Sequence, residues 1–159
     1  MASKITPFLW FDGNAEQAVK FYTSIFRKSK VGKVARYPEG GPGEPGSVMT
    51  IQFRLEGQDY VALNGGPDFK FNEAISLLVN CKDQKEVDYY WDRLLEGGGK
   101  PMACGWLKDR FGLAWQVCPE GLLRMYTSKD KARAHRVFHA MMGMVKLDLP
   151  ALQRAAKGK

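Results

Sequence analysis

The sequence predicts an α+β protein built from two tandem βαβββ modules followed by a C-terminal helical extension, and three observations carry that expectation. One helix pattern, with matching caps and apolar positions, occurs twice at an offset of 69 residues. Each copy follows a short run of strand-forming residues and precedes several more, with turn signals between them. The end of the chain reads as helix again. The expected boundaries are 5–66 for the first module, 72–128 for the second and 129–159 for the extension.

In the first module an extended run, Ile5 to Asp12, ends at Gly13 and Asn14. Asn14 is a candidate N-cap with Gln17 three residues later, as a capping box requires, and apolar residues recur at Ala18, Phe21, Tyr22, Ile25 and Phe26. Three strand-like runs follow: Lys33 to Tyr37, Ser47 to Leu55, and Tyr60 to Leu63. Pro38 to Gly46 is too rich in glycine and proline for regular structure, which leaves a lid or a plain connection, and Glu56 to Asp59 reads as a tight turn.

The second module repeats this order. Ala74 to Cys81 forms the strand, Asp83 caps the helix, Glu86 completes the box, and the stripe runs Val87, Tyr90, Trp91, Leu94, Leu95 before Gly97, Gly98 and Gly99 stop it. Pro101 to Leu107, Leu113 to Cys118 and Leu122 to Ser128 are then expected as strands. A helix on one face of each sheet leaves the other face needing a partner.

Composition narrows the function classes. A chain of 159 residues with 45% hydrophobic and 12% aromatic content can bury a core and is not a disordered chain. The start, MASKITPFLWFDG, has no leader pattern and reads as unprocessed. No stretch reaches the roughly 20 apolar residues that span a bilayer, so no membrane partner is expected. Cys81, Cys104 and Cys118 form neither a CxxC pair nor a zinc pattern, which suits a reducing cytoplasm, and Cys104 reads as an ordinary packed thiol. The formal charge of +7 lies entirely in the last 36 residues, since residues 1–123 carry 15 basic and 15 acidic side chains. A basic helix face is usually solvated, so nucleic acid is not expected as a partner.

The residues themselves resemble the PhnB-like branch of the glyoxalase, or vicinal-oxygen-chelate, superfamily, which carries the label 3-demethylubiquinone-9 3-methyltransferase-like. FDGNAEQAVKFYTSIF, Phe11 to Phe26, is similar to that branch's first strand and helix, and ISLLVNCKDQKEVDYYWDRLLEGG, Ile75 to Gly98, to its second-module opening. GWLKDRFGLAWQVCP, Gly105 to Pro119, resembles its closing hairpin, and Lys131 to Ala155 its C-terminal helices. The resemblance implies the glyoxalase/bleomycin-resistance-like fold, in which the sheets form a cup with the ligand opposite the helices. Metal-dependent members hold a cation there through first-strand histidines and later carboxylates. The corresponding positions here are Pro7, Ala74 or Ser76, Ala62 and Gln116, none of which coordinates in that way, so no metal and no cofactor are expected. His135 and His139 lie four apart on a predicted helix, but HRVFH lacks the glutamate of a zincin motif, and neither is assigned as a ligand.

Candidates for the cup lining, chosen by residue type, are Trp10, Phe53, Asn64, Trp106, Trp115 and Gln116. Asp109 and Arg110 beside a turn either orient a polar substrate or stabilise the hairpin. Methyl transfer from adenosylmethionine usually needs a larger α/β domain with a glycine-rich loop opening a helix; Gly97 to Gly99 follow one instead. No catalytic dyad stands out. The expected function is binding of a small molecule of unknown identity in a metal-free cup, with metal-independent catalysis left open. A sequestering, resistance-type protein and a metal-dependent glyoxalase- or dioxygenase-like enzyme are the alternatives.

The tail stripe Ala134, Val137, Phe138, Met141, Met142 and Val145 has no obvious place within one cup, because each module already has its own helix. A homodimer held partly by this segment is therefore expected.

Overall fold

The computed structural model describes residues 4–159, and these fall into two compact units divided between Phe71 and Asn72. Unit one contains β1 (Phe8–Phe11), α1 (Ala15–Ile25), β2 (Ser29–Arg36), β3 (Val48–Leu55) and β4 (Gln58–Asn64). Its sheet has the order β1-β4-β3-β2, with β1 parallel to β4 and the remaining pairs antiparallel. Strand alternation decides which side chains meet the helix. On β3, Ile51, Phe53 and Leu55 are buried while Gln52 and Arg54 are exposed, so the first set faces α1 and the second faces away. The α1 residues Ala18, Val19, Tyr22 and Ile25 complete that core.

The cap of α1 differs from expectation. Asn14 has φ −112° and ψ 20°, outside the extended region from which a cap side chain reaches the helix, and it makes no side-chain capping bond. Asn64 at the end of β4 substitutes: its Oδ1 accepts the Ala15 N–H at 2.9 Å, while its Nδ2 donates to the Val48 carbonyl at 3.0 Å.

Unit two contains β5 (Leu77–Cys81), α2 (Gln84–Leu95), β6 (Lys100–Pro101), β7 (Trp106–Lys108), β8 (Ala114–Pro119), α3 (Leu122–Tyr126), α4 (Lys131–Met142) and α5 (Leu149–Ala156). The sheet order β5-β8-β7-β6, with β5 parallel to β8, repeats the connectivity of unit one. Here the capping box does form: the Asp83 carboxylate accepts the Glu86 N–H at 2.9 Å, and Glu86 Oε2 accepts the Lys82 N–H at 3.0 Å.

Leu122 to Ser128, expected as a strand, is helical, and the third strand of the module arises instead from a turn that splits Pro101 to Leu107. Cys104 and Gly105 both have positive φ (59° and 80°), the requirement of a two-residue hairpin turn, and the Trp106 N–H donates to the Ala103 carbonyl at 3.2 Å to close it. Leu122 is held by tertiary packing, buried in one cluster with Val137, Leu147 and Leu152. Local propensity agrees with the helix, because Leu, Arg and Met are good helix formers.

The extension thus finds a place on its own module. The Cys104 and Gly105 N–H groups donate to the Met144 and Val145 carbonyls, both at 2.8 Å, and a Cβ on Gly105 would lie 2.8 Å from Leu147. Gln84 of α2 donates to the Leu147 carbonyl and accepts from the Leu149 N–H. The tail stripe is consequently split, with Val137 buried inside the unit and Phe138, Met142 and Val145 left exposed. The premise that this helix needs a second subunit to cover it is corrected for its inner half.

Candidate functional site

Each sheet has one face packed on a helix and one open face, and register assigns the predicted lining residues to one or the other. In unit one, Trp10 pairs with Leu63 on the open side of β1. Its indole N–H donates to the Gly66 carbonyl at 2.9 Å and its ring meets Phe69 edge-on at 4.9 Å; a Cβ on Gly65 would overlap it. Phe53 lies on the helix side instead, 3% exposed and stacked against Tyr22 and Tyr60. Asn64 is the helix cap described above. Asn64 therefore serves the packed face, whereas Phe53 turns its ring to the helix side and also borders the cleft on the first sheet.

In unit two, Trp106 and Gln116 are register partners on the open face, and Leu78 of β5 lies beside Gln116. Trp115 is one residue out of phase and faces α2, with its N–H donated to Asp109 Oδ2 at 2.8 Å. Asp109 is buried and also accepts the Phe111 and Leu113 N–H groups through Oδ1, so it organises the hairpin. Arg110 lies against Gly97, where a Cβ would sit 2.7 Å from its guanidinium carbon. The hairpin reading of this pair is the one the geometry supports.

The segment from Pro38 to Gly46 is irregular but tied down. Tyr37 exchanges backbone hydrogen bonds with Ser47 and Gly46, and its hydroxyl donates to the Asn64 carbonyl at 2.6 Å. Gly43 packs against the Tyr37 ring so closely that a Cβ would overlap it.

A cleft of about 600 Å³ lies on the open face of unit one. Two parallel rows of side chains cross it. The first is Phe8 on β1, Val61 on β4, Gln52 on β3 and Gly32 on β2, fixed by the Phe8–Val61 and Val61–Gln52 register and by the close approach of Gly32 to Gln52. The second is Asp59 on β4, Arg54 on β3 and Lys30 on β2. Arg54 binds Asp59 in bidentate fashion, Nε to Oδ1 at 2.6 Å and Nη2 to Oδ2 at 2.8 Å. This pairing raises the Arg54 pKa and holds the Asp59 carboxyl below its ordinary value. Among the described residues Lys30 has no ion pair, so one positive charge on this row is uncompensated.

None of Phe8, Lys30, Gly32, Gln52, Arg54 and Asp59 was expected from residue type. Their signal was the alternation IQFRL, Ile51 to Leu55, whose polar members had to face away from α1.

The metal positions implied by the resemblance hold Pro7 and Ala62 in unit one, and Ala74 or Ser76 with Gln116 in unit two. Gln116 Nε2 donates to Ser76 Oγ at 2.9 Å, so these two neutral groups satisfy one another. A set without imidazole or carboxylate does not fit a divalent transition metal. Among the described residues no group of three or more His, Cys, Asp or Glu side chains is placed to hold a metal ion. Burial pushes the Cys81 thiol up to about 12 and the Cys118 thiol up to about 11, so neither is a thiolate near neutral pH. His135 and His139 sit together on α4 with ring centroids 4.2 Å apart.

No helix among the described residues is long and apolar enough to cross a membrane. Comparison with known proteins places this architecture. A PhnB protein from Bacillus cereus, described as a putative 3-demethylubiquinone-9 3-methyltransferase, is 36% identical, covers 74% of this chain and 99% of its own, and superposes with a TM-score of 0.66. A protein from Pseudomonas aeruginosa, 21% identical over 75% of this chain and 98% of its own, shares the fold with a TM-score of 0.62. No curated protein matches. The profile of the family described as 3-demethylubiquinone-9 3-methyltransferase matches residues 3–118. The chain belongs to that PhnB-like family of the vicinal-oxygen-chelate superfamily.

Proposed function

We propose that the protein binds a small organic molecule on the open face of its first sheet, without a resident metal. The observation that carries this reading is the row Phe8, Val61, Gln52 and Gly32, which gives the cleft an apolar floor, one amide and one position without a side chain. Gly32 sits where the β2–β3 register slips between Val31 and Val34, and its missing side chain lets the strand approach Gln52 closely at the edge of the cleft. The neutral donors at the implied metal positions support the metal-free part. Methyl transfer is not proposed: the described residues form two four-stranded mixed sheets, and the Gly97–Gly99 run ends a helix instead of opening one.

The test is a thermal-shift screen of metabolites and aromatic drugs, because a ligand that binds only the native state raises the apparent stability. Hits that disappear in Gln52→Trp, which fills the cleft from an exposed strand position, support the reading. A screen with no hits, or hits unaffected by Gln52→Trp, contradicts it. Elemental analysis of protein purified without chelators should find no stoichiometric zinc, nickel or iron; one equivalent would restore the metal-dependent alternative. Conversion of a hit over time distinguishes an enzyme from a sequestering protein.

A further inference from the structure

We infer that the ligand of this cleft is a small organic anion, an apolar body about two fused rings long that carries one carboxylate-like group. The inference rests on the proposed binding face and adds the chemical class of its ligand.

Two geometric facts lead to it. Neighbouring strands lie about 4.8 Å apart, so the row from Phe8 to Gly32 crosses roughly 14 Å of sheet. Residues on one face repeat every second position, so the apolar row and the charged row are about 7 Å apart. A ligand lying on Phe8 and Val61 beside Gln52 therefore brings a group one ring-length away onto the row of Lys30 and Arg54.

The electrostatics of that row select the sign. Lys30 and Arg54 are direct cross-strand partners, and two adjacent cations on one face repel. Asp59 compensates Arg54 through both carboxylate oxygens, which leaves Lys30 as the surplus charge. An incoming carboxylate bridging Lys30 and the outer edge of Arg54 relieves the repulsion. A cation at the same place would add to it. A neutral ligand gains only the apolar floor.

The probes are 2-naphthoate and its neutral counterpart 2-naphthamide, titrated calorimetrically into the purified full chain at low ionic strength. The expected result is that naphthoate binds at least about tenfold more tightly than the amide, the ratio equivalent to one favourable charge contact. Lys30→Glu, at an exposed position of the cleft, should abolish that preference, bringing the acid's affinity to or below the amide's measured on the same variant. Equal affinity for acid and amide overturns the anion assignment while leaving binding on this face intact. A preference for the acid that survives Lys30→Glu overturns the role given to this row. Binding of neither probe, alongside neutral or cationic thermal-shift hits that Gln52→Trp removes, overturns the anion class and retains the site.

Discussion

The Trp115 indole N–H donates to Asp109 Oδ2 at 2.8 Å, with both residues almost completely buried. The same carboxylate accepts the Phe111 N–H at 2.8 Å and the Leu113 N–H at 3.1 Å through its other oxygen. One side chain thus satisfies the turn between β7 and β8 and fixes a large ring of the second module's core. Three donors around a buried anion account for its presence in an apolar setting.

Removing that acceptor strands three donors. Asp109→Ala should lower the unfolding free energy by about 3 kcal/mol, since each buried unsatisfied donor costs about 1–3 kcal/mol. Asp109→Asn should cost less, because an amide oxygen still accepts from the two backbone groups. Urea titration followed by tryptophan fluorescence gives both values, and a loss below about 1 kcal/mol for the alanine variant would show that water or neighbouring groups replace the carboxylate.

Leu147 and Leu152 are buried in the cluster that joins the tail to the second module. Either leucine changed to alanine should destabilise by about 3 kcal/mol. Truncation after Ser128 uncovers Leu122 and should lower Tm and increase binding of a hydrophobic dye. A truncated chain as stable as the whole would mean that the tail packs elsewhere.

Phe138, Met142 and Val145 are exposed on the outer side of the tail, and we propose them as the contact of the expected homodimer. Sedimentation at micromolar concentration should show a dimer for the full chain and a monomer for Phe138→Glu combined with Met142→Glu. A dimer unaffected by both changes places the contact on another surface.

The thiols should separate cleanly. With their pKa values raised by burial to about 12 and 11, Cys81 and Cys118 should not react with an aromatic disulfide reagent at pH 8 while the protein is folded, leaving one reactive thiol, Cys104. All three should react in denaturant. The sign of the linkage follows from the raised values: these two thiols favour the folded state fully below about pH 8.5, and that contribution is lost as pH rises toward 11 and 12.

Much of the fold was legible because it rests on local rules. The Asp83 and Glu86 caps, the stripes of α1 and α2 and the turn at Glu56 need only neighbouring residues. What failed depends on partners far along the chain. Asn14 looked like a cap, but its place is filled from Asn64, 49 residues beyond Ala15 in the sequence. The strand expected at Leu122 to Ser128 comes from extending the module repeat, against the helix preference of Leu, Arg and Met, and the segment's place is fixed by Leu147 and Leu152. At the site, choosing aromatic and amide residues by type mixed both sheet faces, because a one-residue change of phase separates Phe53 from Gln52 and Trp115 from Gln116. Trp10, Trp106 and Gln116 lie on open faces; Asn64 and Trp115 turn to the packed faces, and Phe53 does so while also bordering the first sheet's cleft.

The most direct measurement of ligand binding on the first sheet's open face is an amide chemical-shift map of isotope-labelled protein, recorded while the strongest thermal-shift hit is titrated in. The largest shifts should fall on the backbone of Phe8, Lys30, Gly32, Gln52 and Val61, and should vanish in Gln52→Trp. Shifts confined to the second module or to α4, with the first sheet unmoved, would contradict the account.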